Sequence, residues 1–284
     1  MTTRHLAWAA LLLASPASAQ SFAAFGDYGS GPNVTAVANL IKSKNPEFII
    51  TVGDNCYGST PISTQVGANY GSYVSSGTFW PSLGNHDYSD TCGGSGNAAK
   101  YFAYFTLPGN ERYYDFVKGN VHFFAINAND RKEPDRATAT SKQGQWLKAK
   151  LAASTSPWNI VYFHHPSYSS GEHGSNVRMQ WPFQAWGADV VLTGHDHDYE
   201  RITKNGFPYF VIGLGGAEKR GFGTPVAGSV IRYNALYGAL FVNATSTSLS
   251  FQFINTAGTV VDTYSMTKGA AKASSDAFGF RVCC

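Results

Sequence analysis

Charge is what this chain has least of. Of its 284 residues only 14% are Asp, Glu, Lys or Arg, against roughly a quarter in an average soluble domain. The formal balance is +3, and no block of Lys or Arg occurs. That excludes the electrostatic footprint of a nucleic-acid binder and a polybasic membrane anchor. No apolar run reaches the roughly 20 residues that a bilayer-spanning helix needs. Long linkers, internal repeats and low-complexity tracts are missing as well. Cysteine is scarce, four in all, and a chain of this length can build a core without relying on disulfides. What is present is apolar and aromatic: 43% hydrophobic, with 16 Tyr, 19 Phe and 6 Trp. This excludes a disordered chain and suits a secreted globular protein.

The first residues point to export. Arg4 and His5 form a short basic start, residues 6–14 an apolar stretch too short to span, and Ala17-Ser18-Ala19 a small-residue cleavage site. The expectation is a signal peptide over 1–19 and one catalytic domain over 20–284, secreted to the cell exterior or periplasm. Export permits cysteine pairing. Cys56 and Cys92 each lie beside a motif described below. A bridge between them would tie two loops of one site together; two free buried thiols are the alternative. The adjacent Cys283 and Cys284 would bridge each other only with strain.

Along the chain, residues 22–25 form an apolar run that predicts a buried strand. Val34, Val37, Ala38 and Ile41 then recur at helical spacing, and 48–52 is a second strand. This strand–helix–strand order predicts parallel pairing. Residues 79–83 read as a third strand, weakened by Pro81. A hairpin is expected across Lys118-Gly119-Asn120, a helix over 141–151, and strands over 159–163 and 188–193. After Arg201 the pattern becomes β-rich and reads as antiparallel, with strands over 207–214, 239–242, 249–254 and 260–264. The whole predicts a mixed α/β sandwich with an antiparallel C-terminal half.

One device repeats. Five predicted strands end in polar groups suited to metals: Gly26-Asp27, Gly53-Asp54-Asn55-Cys56-Tyr57, Gly84-Asn85-His86-Asp87, His164-His165, and Gly194-His195-Asp196-His197. The carboxyl ends of strands in open α/β sheets converge on one crevice. A glycine before the ligand allows a sharp turn and a close approach. Oxygen and imidazole donors together suit iron, zinc or manganese rather than calcium. A single Gly-Asp is most often only a turn, but five such ends in order are hard to assign to chance.

The ordered set resembles the calcineurin-like metallophosphoesterases and, among them, the purple acid phosphatases. The superfamily pattern usually begins Asp-x-His; here Asp27-Tyr28-Gly29 lacks the histidine, and Tyr57 stands three residues after Asp54. The stretch from His195 to Arg201 resembles the family's final motif. The length fits the small, tartrate-resistant type, which implies an α/β metallophosphoesterase sandwich of two mixed sheets flanked by helices. By resemblance, Asp27, Tyr57 and His197 are terminal ligands of a ferric ion and Asp54 bridges both metals. Asn85, His164 and His195 hold a divalent ion, which would be Fe, Zn or Mn. His86 matches an outer-sphere histidine placed to protonate the leaving group. His165 follows a ligand where the small mammalian type has an aromatic residue, and it joins His86 as a catalytic candidate. Asp196 is expected to point away from the site, and Asp87 and Asp198 are candidates for orienting histidines.

The implied activity is a secreted acid phosphatase using a metal-bound hydroxide on a small phosphorylated substrate, with the loops 60–77, 130–140 and 169–176 lining the mouth. A phosphodiesterase or nucleotide-cleaving enzyme on the same site is the near alternative, radical formation at an open iron centre a further one. A secreted non-catalytic binding protein is the alternative of another class. The oligomeric state is not readable from the sequence.

Overall fold

The computed structural model describes residues 19–89 and 96–269. Residues 1–18 of the expected signal peptide 1–19 and three of the cysteines, Cys92, Cys283 and Cys284, lie outside them. The chain runs β1 (Gln20–Phe25), α1 (Pro32–Lys44), β2 (Phe48–Thr51), α2 (Ile62–Ser75), β3 (Phe79–Pro81), α3 (Ala99–Tyr104), β4 (Tyr114–Lys118) and β5 (Val121–Ala125). It continues α4 (Lys142–Ala153), β6 (Trp158–Tyr162), α5 (Phe183–Trp186), β7 (Val190–Thr193), β8 (Tyr199–Lys204) and β9 (Phe207–Ile212). Four strands close it: β10 (Ser229–Tyr233), β11 (Gly238–Ala244), β12 (Ser248–Asn255) and β13 (Val260–Thr267).

The strands form two mixed sheets, ordered β13-β12-β11-β1-β2-β3 and β10-β8-β9-β7-β6-β5-β4. β1, β2 and β3 are parallel, as the strand–helix–strand order requires. β11 returns antiparallel on the free edge of β1. In the second sheet β5, β6, β7 and β9 are parallel neighbours. The C-terminal half is therefore not purely antiparallel. β9 is antiparallel to β8 but parallel to β7, because β8 turns back as an outer neighbour through the short Asn205-Gly206 turn.

Strand periodicity sets the layers. Along β1, Phe22 and Ala24 face the second sheet and share a core with its Phe123, Trp158 and Phe210. Ala23 and Phe25 face the other way, onto the buried stripe Val34, Val37, Ala38 and Ile41 of α1. The second sheet is covered in the same manner by Leu147 and Leu151 of α4 and Phe183 of α5. Strands buried on both faces read as unbroken apolar runs, which is why they were legible. The segment 60–77, expected as a mouth loop, is instead largely α2. Ile62, Val66 and Tyr70 are buried at intervals of four residues, and they pack it under the first sheet.

Among the polar contacts that cross between the sheets, one joins β13 to β8. Asp262 of β13 accepts hydrogen bonds from Arg201 Nε at 2.7 Å and Nη2 at 3.0 Å, and from Tyr199 Oη at 2.7 Å, both on β8. Asp262→Ala would strand a shielded guanidinium and a buried phenol. The expected cost is about 3–5 kcal/mol, read as a lower denaturation midpoint, with metal content per folded chain unchanged.

Candidate metal centre

β1, β2, β3, β6 and β7 end on one rim, and the residues just past their ends meet there. The loops are held in demanding backbone geometry. Asp27, Asp54 and His195 adopt φ of 60°, 53° and 70°, the left-handed region that costs a side-chain-bearing residue of order 1–3 kcal/mol. Such strain persists only where surrounding contacts fix it. Here the contacts are reciprocal between motifs. The backbone N–H of His195 donates to Asp27 Oδ2 at 3.0 Å, and that of His86 to Asp54 Oδ1 at 2.7 Å. This close approach accounts for two of the glycines. A Cβ at Gly194 would lie 2.4 Å from Asp27 Oδ2, and one at Gly84 only 2.1 Å from Asp54 Oδ1.

The remaining donor atoms fall into two sets. In the first, Tyr57 Oη lies 3.0 Å from Asp54 Oδ2, 3.3 Å from Asp27 Oδ1 and 3.3 Å from His197 Nε2, and His197 Nε2 is 3.5 Å from Asp27 Oδ1. In the second, His164 Nε2 lies 3.2 Å from Asp54 Oδ2, 3.1 Å from Asn85 Oδ1 and 3.1 Å from His195 Nδ1. Ligands about 2.0–2.2 Å from one ion stand roughly 3–3.5 Å apart, the spacing found in both sets. Asp54 Oδ2 belongs to both. All seven residues matched as ligands by resemblance are brought together, and Asp54, His164 and His195 alone present ligand atoms within 4.8 Å of one another.

Two of the imidazoles are aimed from behind. Nδ1 of His164 lies 2.9 Å from the Val52 carbonyl and Nδ1 of His197 2.5 Å from that of Glu218. Each contact places the proton on Nδ1 and leaves Nε2 free to ligate. Burial and close approach set the electrostatics of these groups. Burial, then Asp54, pushes the Asp27 carboxyl well above its ordinary value despite His164. Burial opposes the charge of Asp54 too, yet His164 and His86 hold its carboxyl below the usual range. Burial works against a charged His164, but Asp54 and Asp27 override it and push the ring up to about 9. Burial, followed by Asp54 and Asp27, drives the Tyr57 phenol well upward. The donor chemistry fits a pair of metal ions.

The other candidates separate. His86 is partly exposed, stacks on the Tyr57 ring at 4.1 Å and has Nε2 3.9 Å from Asp54 Oδ2. It stands over the first set without joining it. His165 lies behind the second set, 4.3 Å from the His195 ring and 5.1 Å from that of His164. Burial, then His164, holds it down to about 3, so it is neutral. Asp196 does point away, accepting from Ser169 Oγ and the backbone N–H groups of His173 and Gly174. Asp87 does not orient a histidine. It accepts from the N–H and amide of Asn55 and from Gly84 N, clamping two ligand loops together. Neither carboxylate oxygen of the buried Asp198 has a hydrogen-bond partner, and burial, then Asp196 and Glu200, pushes it up to about 9.

Sequence reasoning missed His173, whose ring stacks on His195 at 4.2 Å. Its loop is anchored by Asp196 and by Glu200, which takes both the N–H and the hydroxyl of Ser170. A histidine inside a segment already expected to line the mouth was the available signal.

The architecture and this site define a metallophosphoesterase. The family model of calcineurin-like phosphoesterases matches residues 21–199, and the chain belongs to that family. It is 28% identical over 265 residues to tartrate-resistant acid phosphatase type 5 of Homo sapiens, covering 76% of this chain and 80% of the human one. Over 248 residues it is 26% identical to purple acid phosphatase 15 of Arabidopsis thaliana, with 70% of this chain and 45% of the plant protein covered. The chain thus spans under half of the plant relative's length. A purple acid phosphatase from yellow lupin (Lupinus luteus) seeds has the same fold, with a TM-score of 0.73 at 19% identity over 88% of this chain and 54% of the lupin chain.

Gly84→Ala should leave the chain folded, as read by circular dichroism, but displace Asp54. The expected loss in metal affinity is about 10- to 100-fold, measured by titrating zinc into metal-stripped protein. A folded variant with wild-type affinity would show that the Asp54–Gly84 contact does not shape the site.

Proposed function

We propose that the chain is a secreted acid phosphatase that hydrolyses small phosphate monoesters at a centre of one ferric and one divalent ion, the latter Fe, Zn or Mn. The observation that carries this reading is the sharing of Asp54 Oδ2 by two donor sets of different chemistry. Asp27, Asp54 and Tyr57 offer anionic oxygen, which a hard trivalent ion prefers, and Asn85, His164 and His195 suit a divalent one. When bound, the two ions polarise the phosphoryl group and acidify water enough for attack at low pH.

The residues do the rest. Asp54 sets the spacing between the two sets, since one carboxylate oxygen serves both. Val52 and Glu218 carbonyls fix the imidazoles, so little reorganisation is needed when substrate arrives. His86, on the open side of the site, supplies a proton to the departing alkoxide. His173, stacked on His195 at the opposite edge, is a second proton source. His165 lacks open access to the reacting group and acts by packing the second set. Secretion rests on the pattern in residues 1–19. It agrees with a buried, disulfide-bonded Cys56 next to Tyr57, and Cys92 is the proposed partner.

Wild-type protein loaded with iron and zinc should hydrolyse phenyl phosphate at acid pH. Asp54→Ala should lose nearly all of that activity and most bound metal, measured by emission spectrometry. Two metals per chain in Asp54→Ala would refute the bridge. His86→Ala should keep both metals and lose roughly 10²-fold in rate, more for alkyl than for nitrophenyl phosphates. Equal losses for the two leaving groups would remove His86 from the acid role.

A further inference from the structure

The pocket that opens onto the first donor set has a volume of about 510 Å³, and Tyr57, His86 and His197 form part of its wall. Among the described residues that line it, Arg220 is the only arginine or lysine. Its backbone sets it there. The N–H of Arg220 donates to the His197 carbonyl at 3.3 Å, and its own carbonyl accepts from Asn234 Nδ2 at 2.6 Å. The side chain then reaches the opposite edge of the site. Nη1 lies 3.1 Å from Glu172 Oε1, and Glu172 precedes His173, whose ring stacks on that of His195 at 4.2 Å. The guanidinium therefore stands between a ligand of the first set and the loop that covers a ligand of the second. Burial, joined by the Arg220 charge and opposed by the Glu218 carbonyl, holds the His197 ring below its ordinary value. That agrees with a guanidinium close to this ring.

Stability does not account for this placement. The Arg220 and Glu172 side chains are 37% and 58% exposed, and ion pairs so open to water contribute little. Arg220 Nε is buried with no hydrogen-bond partner, which costs stability rather than adding to it. The head of the side chain stays partly open, and Glu172 occupies only one of its two amino groups.

We infer that Arg220 binds the phosphoryl group of the substrate, as a further residue of the reaction beyond the metal ligands and the histidines. The inference rests on the phosphatase reading above. Arginine presents its donors in a planar fork that matches phosphate oxygens. Standing between the two donor sets, Arg220 supplies positive charge to the side of the phosphoryl group that faces away from the ligands. Glu172 orients the guanidinium through Nη1 and leaves Nη2 for the anion. Its own carboxylate, being exposed, competes only weakly with a phosphoryl group for the same charge.

The test is calorimetric titration of orthophosphate into protein loaded with iron and zinc, comparing wild type with Arg220→Gln, Arg220→Lys and Glu172→Gln at matched metal content. Arg220→Gln should bind orthophosphate about tenfold or more weakly, the loss of charged hydrogen bonds. Arg220→Lys keeps the charge and loses the fork, so it should fall between the two, and it carries the test if the glutamine variant fails to fold. Glu172→Gln should bind at least as tightly as wild type, since it removes a competing carboxylate and leaves the guanidinium. Wild-type affinity in both Arg220 variants would overturn the inference. So would a loss in Glu172→Gln equal to that in the Arg220 variants, which would make Arg220 a prop for the 169–176 loop. Turnover of phenyl phosphate is read separately. A wild type that binds orthophosphate through Arg220 yet hydrolyses no ester would sink the phosphatase reading and leave the Arg220 contact standing.

Discussion

One carboxylate organises the rim of this fold. Asp54 sits in left-handed backbone just past β2, with Oδ1 held by the His86 N–H and Oδ2 left for two groups of donors at once. Everything near it serves that placement. Gly84 must lack a side chain to let it in, and Asp87 ties the flanking Asn55 to the Gly84 loop. Val52, one residue beyond the strand, turns its carbonyl to His164. The two sheets contribute unequally: the first supplies the anionic oxygens and Asn85, the second the three imidazoles. The centre therefore exists only where the sheets are registered against each other. Cross-sheet contacts far from the rim, such as Asp262 with Arg201 and Tyr199, add to the stability of the paired sheets.

Burying Asp27, Asp54, Tyr57 and three histidines together costs stability unless charge is balanced. Asp27 is pushed up by burial and its neighbour, Tyr57 is kept neutral, and His164 is kept charged. The left-handed backbone at Asp27, Asp54 and His195 is held by N–H groups and glycines already in position.

Much of this was legible in the sequence because strands buried on both faces write unbroken apolar runs, and each of five runs ended in a metal-ligand residue type. Asp27, Asp54, Asn85, His164 and His195 could be read that way. Tyr57 needed the missing histidine after Asp27 as a second clue. Other features leave no such trace. Asp87, Asp196 and Glu200 look like parts of ligand motifs, yet they hold loops, because what a carboxylate bonds depends on which backbone N–H groups the fold brings near. Tyr199 and Arg201, read as the tail of the last motif, are structural for the same reason. α2 reads as a loop in the sequence because Gly67, Gly71 and its serines and threonines mask the spacing of Ile62, Val66 and Tyr70. Strand β10 was missed because its alternation is of half-buried and exposed residues, with no buried face to reveal it.

The central claim is that Tyr57 and Asp54 share one ion while Asp54 reaches the second. The visible absorption spectrum of the iron-loaded protein tests it most directly, since a phenolate on ferric iron gives a charge-transfer band that carboxylates and imidazoles cannot. The account predicts a violet wild type and a Tyr57→Phe variant that loses the band and retains ferric iron less well, while zinc still binds at the His164 set. A colourless iron-loaded wild type, or the same band in Tyr57→Phe, would contradict it.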